Sequence, residues 1–385
     1  MNHPASRSAR PPLWLAAAAV AAGWGAVYAI VRWTLWFASS PIHVDSRIWY
    51  VAAEAGLRYG WPAIYNVDTL RALSASFPGG QTNIDTATGY ASPPLLAWLF
   101  APLTFVSEPV AYVLWTVVSL GALVWAWYVA APYRGLAKVA LLWLALALWP
   151  VLWSFDRGQP TILILAMIAG AWALCARDRP LAAGVVLALA TALKPQVTIL
   201  VPFALLASGR YRPFLAWCAA GALLAAAIFF ELGYSGLSAW WHALQYLQSD
   251  ISHAYFTLAY MFGFGALTYA LWALQGAAAL LIARRQRSQL EIVFAAGVLG
   301  SVAIGFHLHE SDYSLLVIAA WLVLRTAPPV WHRLWLLVGI ATMQAVPMGY
   351  PIPQLTWDAG WLVILAAGSF AGRAAQPGAI RRVAG

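Results

Sequence analysis

The chain has 385 residues, of which 63% are hydrophobic and only 9% charged, and it carries a formal net charge of +9. A soluble domain is about half apolar and about a quarter charged, so a large soluble core is excluded and a polytopic membrane protein is implied. The positive charge does not point to nucleic acid, because the basic residues sit singly or in small groups between apolar runs, the pattern that sets membrane topology.

The first apolar run, 13–35, is long and no small-residue cleavage site closes it, so it reads as a span rather than a cleavable signal peptide. Further runs cover 109–130, 138–153, 160–176, 181–193, 197–208, 213–231, 264–283, 290–306, 311–325, 333–348 and 357–371. Several are shorter than the roughly 20 residues that cross a bilayer perpendicularly, so run lengths only approximate spans. The pair 181–193 and 197–208 reads as two thin spans or one re-entrant hairpin, and in either case the chain returns to the side it left. The stretch "PPLLAWLFAPLTF" makes about 20 Å of helix against a hydrocarbon core of roughly 30 Å. Its inner prolines weaken it further, so 94–106 is read as a helix that does not cross. Cys175 and Cys218 lie inside apolar segments and read as packing residues rather than as a disulfide framework or a metal site.

Orientation follows from Arg and Lys. With the N-terminus in the cytoplasm, the inner face carries Arg7, Arg10, Arg134, Lys138, Arg177, Arg179, Arg210, Arg212, Arg284, Arg285, Arg287, Arg325, Arg333, Arg373, Arg381 and Arg382, which is 16 of the 22 basic residues. Of the 13 acidic residues only Asp178 and Glu291 fall on that side. The expected architecture is therefore a single all-α transmembrane domain over 1–385, with about 12 spans. It has a first extracytoplasmic loop at 36–93 and a second longer outer loop at 232–262.

The polar interruptions then gather on the outer face. Asp45 stands in "HVDSR", just after the first span. It precedes "IWYVAAEAGLRYG", where Ile48, Val51, Ala52 and Ala55 recur at helical spacing and predict a helix lying along the membrane surface. Tyr90 falls in "DTATGYASPP", at the end of the same loop. "FDRGQP" offers Asp156 and Arg157 followed by turn and helix-start signals. These place Gln159 at a helix N-terminus, where free N–H groups favour an anion. Lys194 sits in "ALKPQ" between two apolar runs, beside Gln196, on the face where topogenic lysines do not belong. A lysine there points to an anionic partner, and a compact phosphate suits it, whereas the bland alternative is snorkelling to the surface. "FHLHESDYS" packs His307, His309, Glu310 and Asp312 together. These are metal-ligand types, but H-x-H-E is not the H-E-x-x-H spacing that sets two ligands on one helical face, so hydrogen bonding to a hydroxyl-rich substrate is the preferred reading. Trp240, Trp241 and Tyr246, in the later outer loop, suit a sugar face or a lipid chain.

The Asp after the first span, "YASPPLLAWLFAPL", "DRGQPTILILAMIAGAWALCARDRPLAAGVVLALATALKP" and the His-rich turn, in that order, resemble glycosyltransferase family 87, of the multi-spanning GT-C fold. The resemblance runs over about 40–320 and is strongest between 85 and 200. It implies a bacterial cytoplasmic-membrane enzyme, active on the extracytoplasmic side. Such an enzyme passes a sugar, mannose in the best-known type, from a polyprenyl-phosphate carrier to an acceptor hydroxyl of a lipid or glycan. The acid of the first outer loop, here Asp45, would be the general base of an inverting displacement. Lys194, Arg157 and Gln159 would hold the donor phosphate, and Tyr90, Gln196, His307, His309 and Glu310 would contact substrate. "VDSR" lacks a second adjacent acid, so no Asp-x-Asp metal pair is expected, and neither is a cofactor. The rival readings are a transporter or flippase for a lipid-linked sugar, which would want polar groups on both faces and internal repeats, and a structural or assembly subunit, which needs no acid-and-cation constellation.

Overall fold

The computed structural model describes residues 12–39, 44–76, 89–249 and 254–374. His43 and the topogenic Arg7, Arg10, Arg381 and Arg382 lie outside the described residues. Among the described residues the fold is all-helical, without strands.

The helices in chain order are α1 (Leu13–Ser39), α2 (Val44–Tyr59), α3 (Val67–Ala75), α4 (Pro94–Phe100), α5 (Glu108–Ala130), α6 (Leu136–Ala147), α7 (Trp149–Arg157), α8 (Thr161–Ala176), α9 (Pro180–Leu193), α10 (Leu200–Ala207), α11 (Tyr211–Ser249), α12 (Leu258–Phe262), α13 (Ala266–Arg285), α14 (Leu290–Ala303), α15 (Leu316–Arg325), α16 (Val330–Ala345) and α17 (Pro351–Ala374). Short 3₁₀ turns at Trp61–Tyr65, Ala101–Phe105, Pro195–Val197, Glu310–Leu315 and Val346–Met348 join several of them.

Each of the twelve apolar runs coincides with a helix or helix pair, and not all of these helices are long enough to cross a membrane by themselves. Among the described residues three helices are long and apolar enough to cross a membrane: Glu108–Ala130, Tyr211–Leu247 and Ala266–Arg285. A fourth is added if α6 and α7, bent by 60° at Leu148, count as one broken span. The reason lies in punctuation. Prolines stand at the first positions of α7 and α9 and in the turn after α9, cutting the apolar sequence into pieces of 8–16 residues. The short pieces are sheltered by neighbours. α8, α14 and α15 are buried on almost every side. α5, α11 and α13 instead turn large apolar side chains outward, among them Val117, Leu223, Phe230 and Leu274, as helices facing hydrocarbon do.

The segment 94–106 forms α4 and one 3₁₀ turn, Pro94–Phe105, about 18 Å long by helix rise. α2 forms where helical spacing predicts it. It does not present only one face to the fold, because Trp49, Tyr50, Val51, Ala52, Ala53 and Ala55 are all buried under α3, α4, α5 and the Trp61–Tyr65 turn. The stretch 232–262 is largely helical among its described residues: α11 continues past a break at Gly233, whose φ of 59° only glycine adopts readily, and its second half leans over the Trp61–Tyr65 turn, where Gly236 packs against Pro62.

Two ends of the bundle differ in charge. At one, Arg177 closes α8, Arg210 precedes α11, Arg284 and Arg285 close α13, and Arg325 of α15 approaches Glu291 of α14 at 4.0 Å. Asp45, Gln159, Lys194 and Asp312 collect at the other end, across α8 and α14 from these arginines.

Close helix packing depends on small residues, as expected where lipid tails compete with side chains for apolar contact. A Cβ on Gly184 of α9 would lie 2.3 Å from the Pro213 carbonyl oxygen and 2.8 Å from the Trp217 nitrogen of α11. Gly184→Ala is expected to cost about 1–3 kcal/mol through backbone displacement. Gly221→Ala, on α11 with no atom within 4 Å of the added carbon, costs nothing measurable. Thermal unfolding of the two variants in detergent checks this.

Candidate active site

The site is assembled from four chain breaks, each fixed by local chemistry. α2 begins at Val44, so Asp45 lies in its first turn, where the helix dipole favours a carboxylate. α7 ends at Gly158, in the left-handed region at φ 73°, and Gln159 N–H donates back to the Ser154 carbonyl at 2.8 Å. A Cβ on Gly158 would stand 2.7 Å from the Ser46 Cβ, so the turn and the start of α2 touch at a point where only glycine fits. Trp115 and Tyr112 of α5 pin this turn, the first donating its Nε1–H to the Gly158 carbonyl at 2.5 Å and the second its hydroxyl to Phe155 O at 2.6 Å.

Lys194 ends α9. The following Pro195 disfavours helical backbone in its predecessor, and Lys194 adopts φ −155°, ψ 84°. The fourth break follows α14. There His309 caps the Glu310–Leu315 turn, and its backbone N–H donates to Asp312 Oδ2 at 2.8 Å.

These breaks bring one continuous polar chain together. Gln159 Nε2 donates to Asp45 Oδ2 at 2.6 Å. Lys194 Nζ donates to Gln159 Oε1 at 3.3 Å and meets Asp312 Oδ1 at 2.5 Å. Asp312 is wholly buried and Lys194 nearly so. A buried ammonium this deep is tolerated because two acceptors satisfy two of its three N–H groups.

Asp45, Gln159 and Lys194 border a cavity of about 460 Å³, together with Gln196, His307 and His309. Apolar walls come from Ile48 and Trp49 of α2, Leu96 of α4, Phe306, and Trp240, Leu244 and Leu247 of the second half of α11. Its size and its mix of apolar walls with few convergent polar groups suit a small-molecule site. His307 and His309 approach each other at 3.1 Å between their Nε2 atoms. Burial pushes the Asp45 carboxyl above the ordinary aspartate range, and the Gln159 hydrogen bond and the charges of Arg157 and Lys194 pull it partly back.

The remaining residues singled out from the sequence lie around this core. Arg157 stacks on Trp153, 4.2 Å from the ring centroid, and its charge acts on both Asp45 and Glu310 without lining the cavity. Glu310 accepts from Trp149 Nε1–H, and burial raises its carboxyl. Tyr90 is fully buried; its hydroxyl donates to Pro93 O at 2.7 Å and accepts from Ala97 N–H at 3.2 Å, holding the cavity-lining Ala91–Pro93 segment from behind. Tyr65 stacks on Trp240, whose Nε1–H donates to Ala91 O at 3.1 Å.

Asp312 has a place that sequence reasoning did not give it. The signal was present: a lysine in apolar surroundings needs a buried counter-charge, and Asp312 stands three residues after His309, the spacing of a capping box. Among the described residues no three His, Cys, Asp or Glu side chains converge as a metal-binding group.

A family model for glycosyltransferase family 87 matches residues 90–324, more than half of the chain. The matched segment contains Gln159, Lys194 and Asp312, while Asp45 precedes it. No curated protein and no solved structure matches the chain. The chain belongs to glycosyltransferase family 87 and is a membrane glycosyltransferase.

Proposed function

We propose that the enzyme transfers a sugar, with mannose the first candidate, from a polyprenyl-phosphate carrier to an acceptor hydroxyl of a lipid or glycan, inverting the anomeric centre, with Asp45 as general base. The observation that carries this reading is the Asp45–Gln159–Lys194 chain on one cavity wall: a carboxylate and an ammonium held one amide apart. Asp45 takes the acceptor hydroxyl proton as the acceptor oxygen bonds to the anomeric carbon. The bond from that carbon to the phosphate oxygen breaks, and its electron pair leaves with the lipid phosphate. Lys194 and the Gln159 amide face the phosphate as its charge grows, with Arg157 adding long-range positive potential. Gln196, His307 and His309, which line the cavity, hydrogen-bond the sugar or acceptor, and Glu310, next to His309 in the chain, anchors that turn by its bond from Trp149. Tyr90 supports the substrate wall through Pro93. The apolar wall from α2, α4 and α11 suits a lipid-linked donor. Placement of the site on the extracytoplasmic side of a bacterial cytoplasmic membrane is supported by the arginines at the opposite end of the bundle.

Asp45→Asn is expected to lower turnover by about 10²–10⁴-fold with unchanged membrane insertion, measured with radiolabelled polyprenyl-phosphate mannose. Wild-type turnover in that variant removes Asp45 as the base.

The base acts ionised and burial raises its pKa, so the rate falls as pH drops through a value above the ordinary aspartate range. Arg157 stabilises the ionised form; Arg157→Gln therefore moves the acid limb of the kcat profile to higher pH. A limb that stays in place shows that another group titrates.

Removing one partner of the buried ion pair leaves an unpaired charge, so Asp312→Asn is expected to destabilise the protein by about 3–5 kcal/mol. Adding Lys194→Met to it restores much of the melting temperature but not donor turnover. Recovery of both would assign the pair to folding alone.

A further inference from the structure

Beyond the sugar-transfer site, the bundle carries a second cavity that this reaction does not use. It has a volume of about 500 Å³ and lies between α5, α8 and α9, lined along α8 from Leu163 to Arg177. Gly121 and Ala122 of α5 form one wall, and Trp125 closes over Gly170, where an added Cβ would stand 3.0 Å from its ring. An added Cβ on Gly121 would meet no atom within 4 Å, so the space beside it is empty of protein. Fourteen residues of helix rise, from Leu163 to Arg177, give the groove a length of about 21 Å, enough to take a hydrocarbon tail through more than half of a roughly 30 Å core.

One charged residue lines this groove, Arg177, and it stands exposed at the end of α8. Arg179 and Arg210 lie at the same end. The acids there are Asp178 and Glu291, and Glu291 is engaged by Arg325 at 4.0 Å. An apolar channel that ends at an arginine in a positive field is complementary to a molecule with a hydrocarbon tail and an anionic head. The sugar donor does not fit it, because the donor phosphate reacts beside Lys194, and α8 separates that end from Arg177 by about 24 Å.

We propose that the groove between α5, α8 and α9 binds an anionic membrane phospholipid, with its tail against Gly121, Gly170 and Trp125 and its phosphate at Arg177. The site belongs to the leaflet opposite the sugar-transfer cavity. It does not depend on the identity of the sugar donor, and sugar transfer is not its readout.

Native mass spectrometry of the full chain, incubated with equal amounts of phosphatidylglycerol and phosphatidylcholine, tests the assignment. The wild type is expected to retain phosphatidylglycerol over phosphatidylcholine. Arg177→Gln should reduce that excess on the order of fivefold, the effect of one basic side chain near an anionic headgroup. Gly121→Phe, whose Cβ meets no atom within 4 Å and whose ring is set beside the channel, should abolish the excess, whereas Gly221→Phe on α11, away from the groove and equally open at its Cβ, should preserve it. Equal retention of the two lipids by the wild type overturns the proposal. So does an excess unchanged by both Arg177→Gln and Gly121→Phe, or displacement of phosphatidylglycerol from the groove by polyprenyl phosphate.

Discussion

The architecture of the site depends on one electrostatic requirement, that Lys194 be buried as a cation inside a hydrophobic bundle. An ammonium loses most of its hydration there and persists only among anions and oriented dipoles. Asp312 supplies the charge at 2.5 Å and Gln159 the dipole at 3.3 Å. The same requirement fixes the Gln159 amide: with the ammonium on one side and the Asp45 carboxylate on the other, its oxygen must face Lys194 and its nitrogen Asp45. A single side chain therefore reads two charges of opposite sign and holds them at a set separation. The Gly158 turn, pressed against Ser46 and pinned by Trp115 and Tyr112, exists to deliver that side chain.

Building such a site from helix ends rather than from one helix face has a consequence for the fold. Each contributing residue lies where a helix stops: before α8, after α9, after α14 and at the start of α2. Helices that stop at a shared depth are shorter than a bilayer, and α8 and α14 survive as short elements because neighbours bury most of their side chains. The long helices α5, α11 and α13 form the outward-facing surfaces. Short inner helices and long outer ones are two sides of the same solution: the cavity reaches bilayer depth while backbone at that depth stays enclosed by protein.

Much of this was legible in the sequence, and the boundary is physical. The helices were readable because apolar runs and prolines are local signals, and the coming together of the polar turns followed from the distribution of basic residues along the chain. Asp45, Gln159 and Lys194 stood out because polar residues between apolar runs are costly and therefore informative. Asp312 was harder to place, since a lysine announces that it needs an anion without saying whether protein or substrate provides it. The number of spans is harder to read, because run length cannot distinguish a lipid-facing helix from one wrapped by protein. The burial of α2 on nearly all sides is invisible for a related reason: Ile48, Val51, Ala52 and Ala55 read as one apolar face of a surface helix, yet Ala53 is buried as well, and the small size of these alanines suits the close approach of α4 and the Trp61–Tyr65 turn.

The prior neutralisation of Lys194 by Asp312 bears on how the proposed reaction would use it. A sugar-linked polyprenyl phosphate is a diester with one negative charge, whereas the departing polyprenyl phosphate is a monoester whose charge approaches two. An isolated lysine would bind both strongly and gain little for the step between them. A lysine already shared with Asp312, with one N–H left for the cavity, offers the diester a modest attraction and the monoester a greater one. Binding that grows as the bond breaks lowers the barrier, while binding spent on the ground state does not. The buried aspartate would in this way set the selectivity of the lysine for the leaving group over the bound donor. The Gln159 amide, polarised from both ends, would carry part of the charge change back to Asp45, where the acceptor's proton arrives.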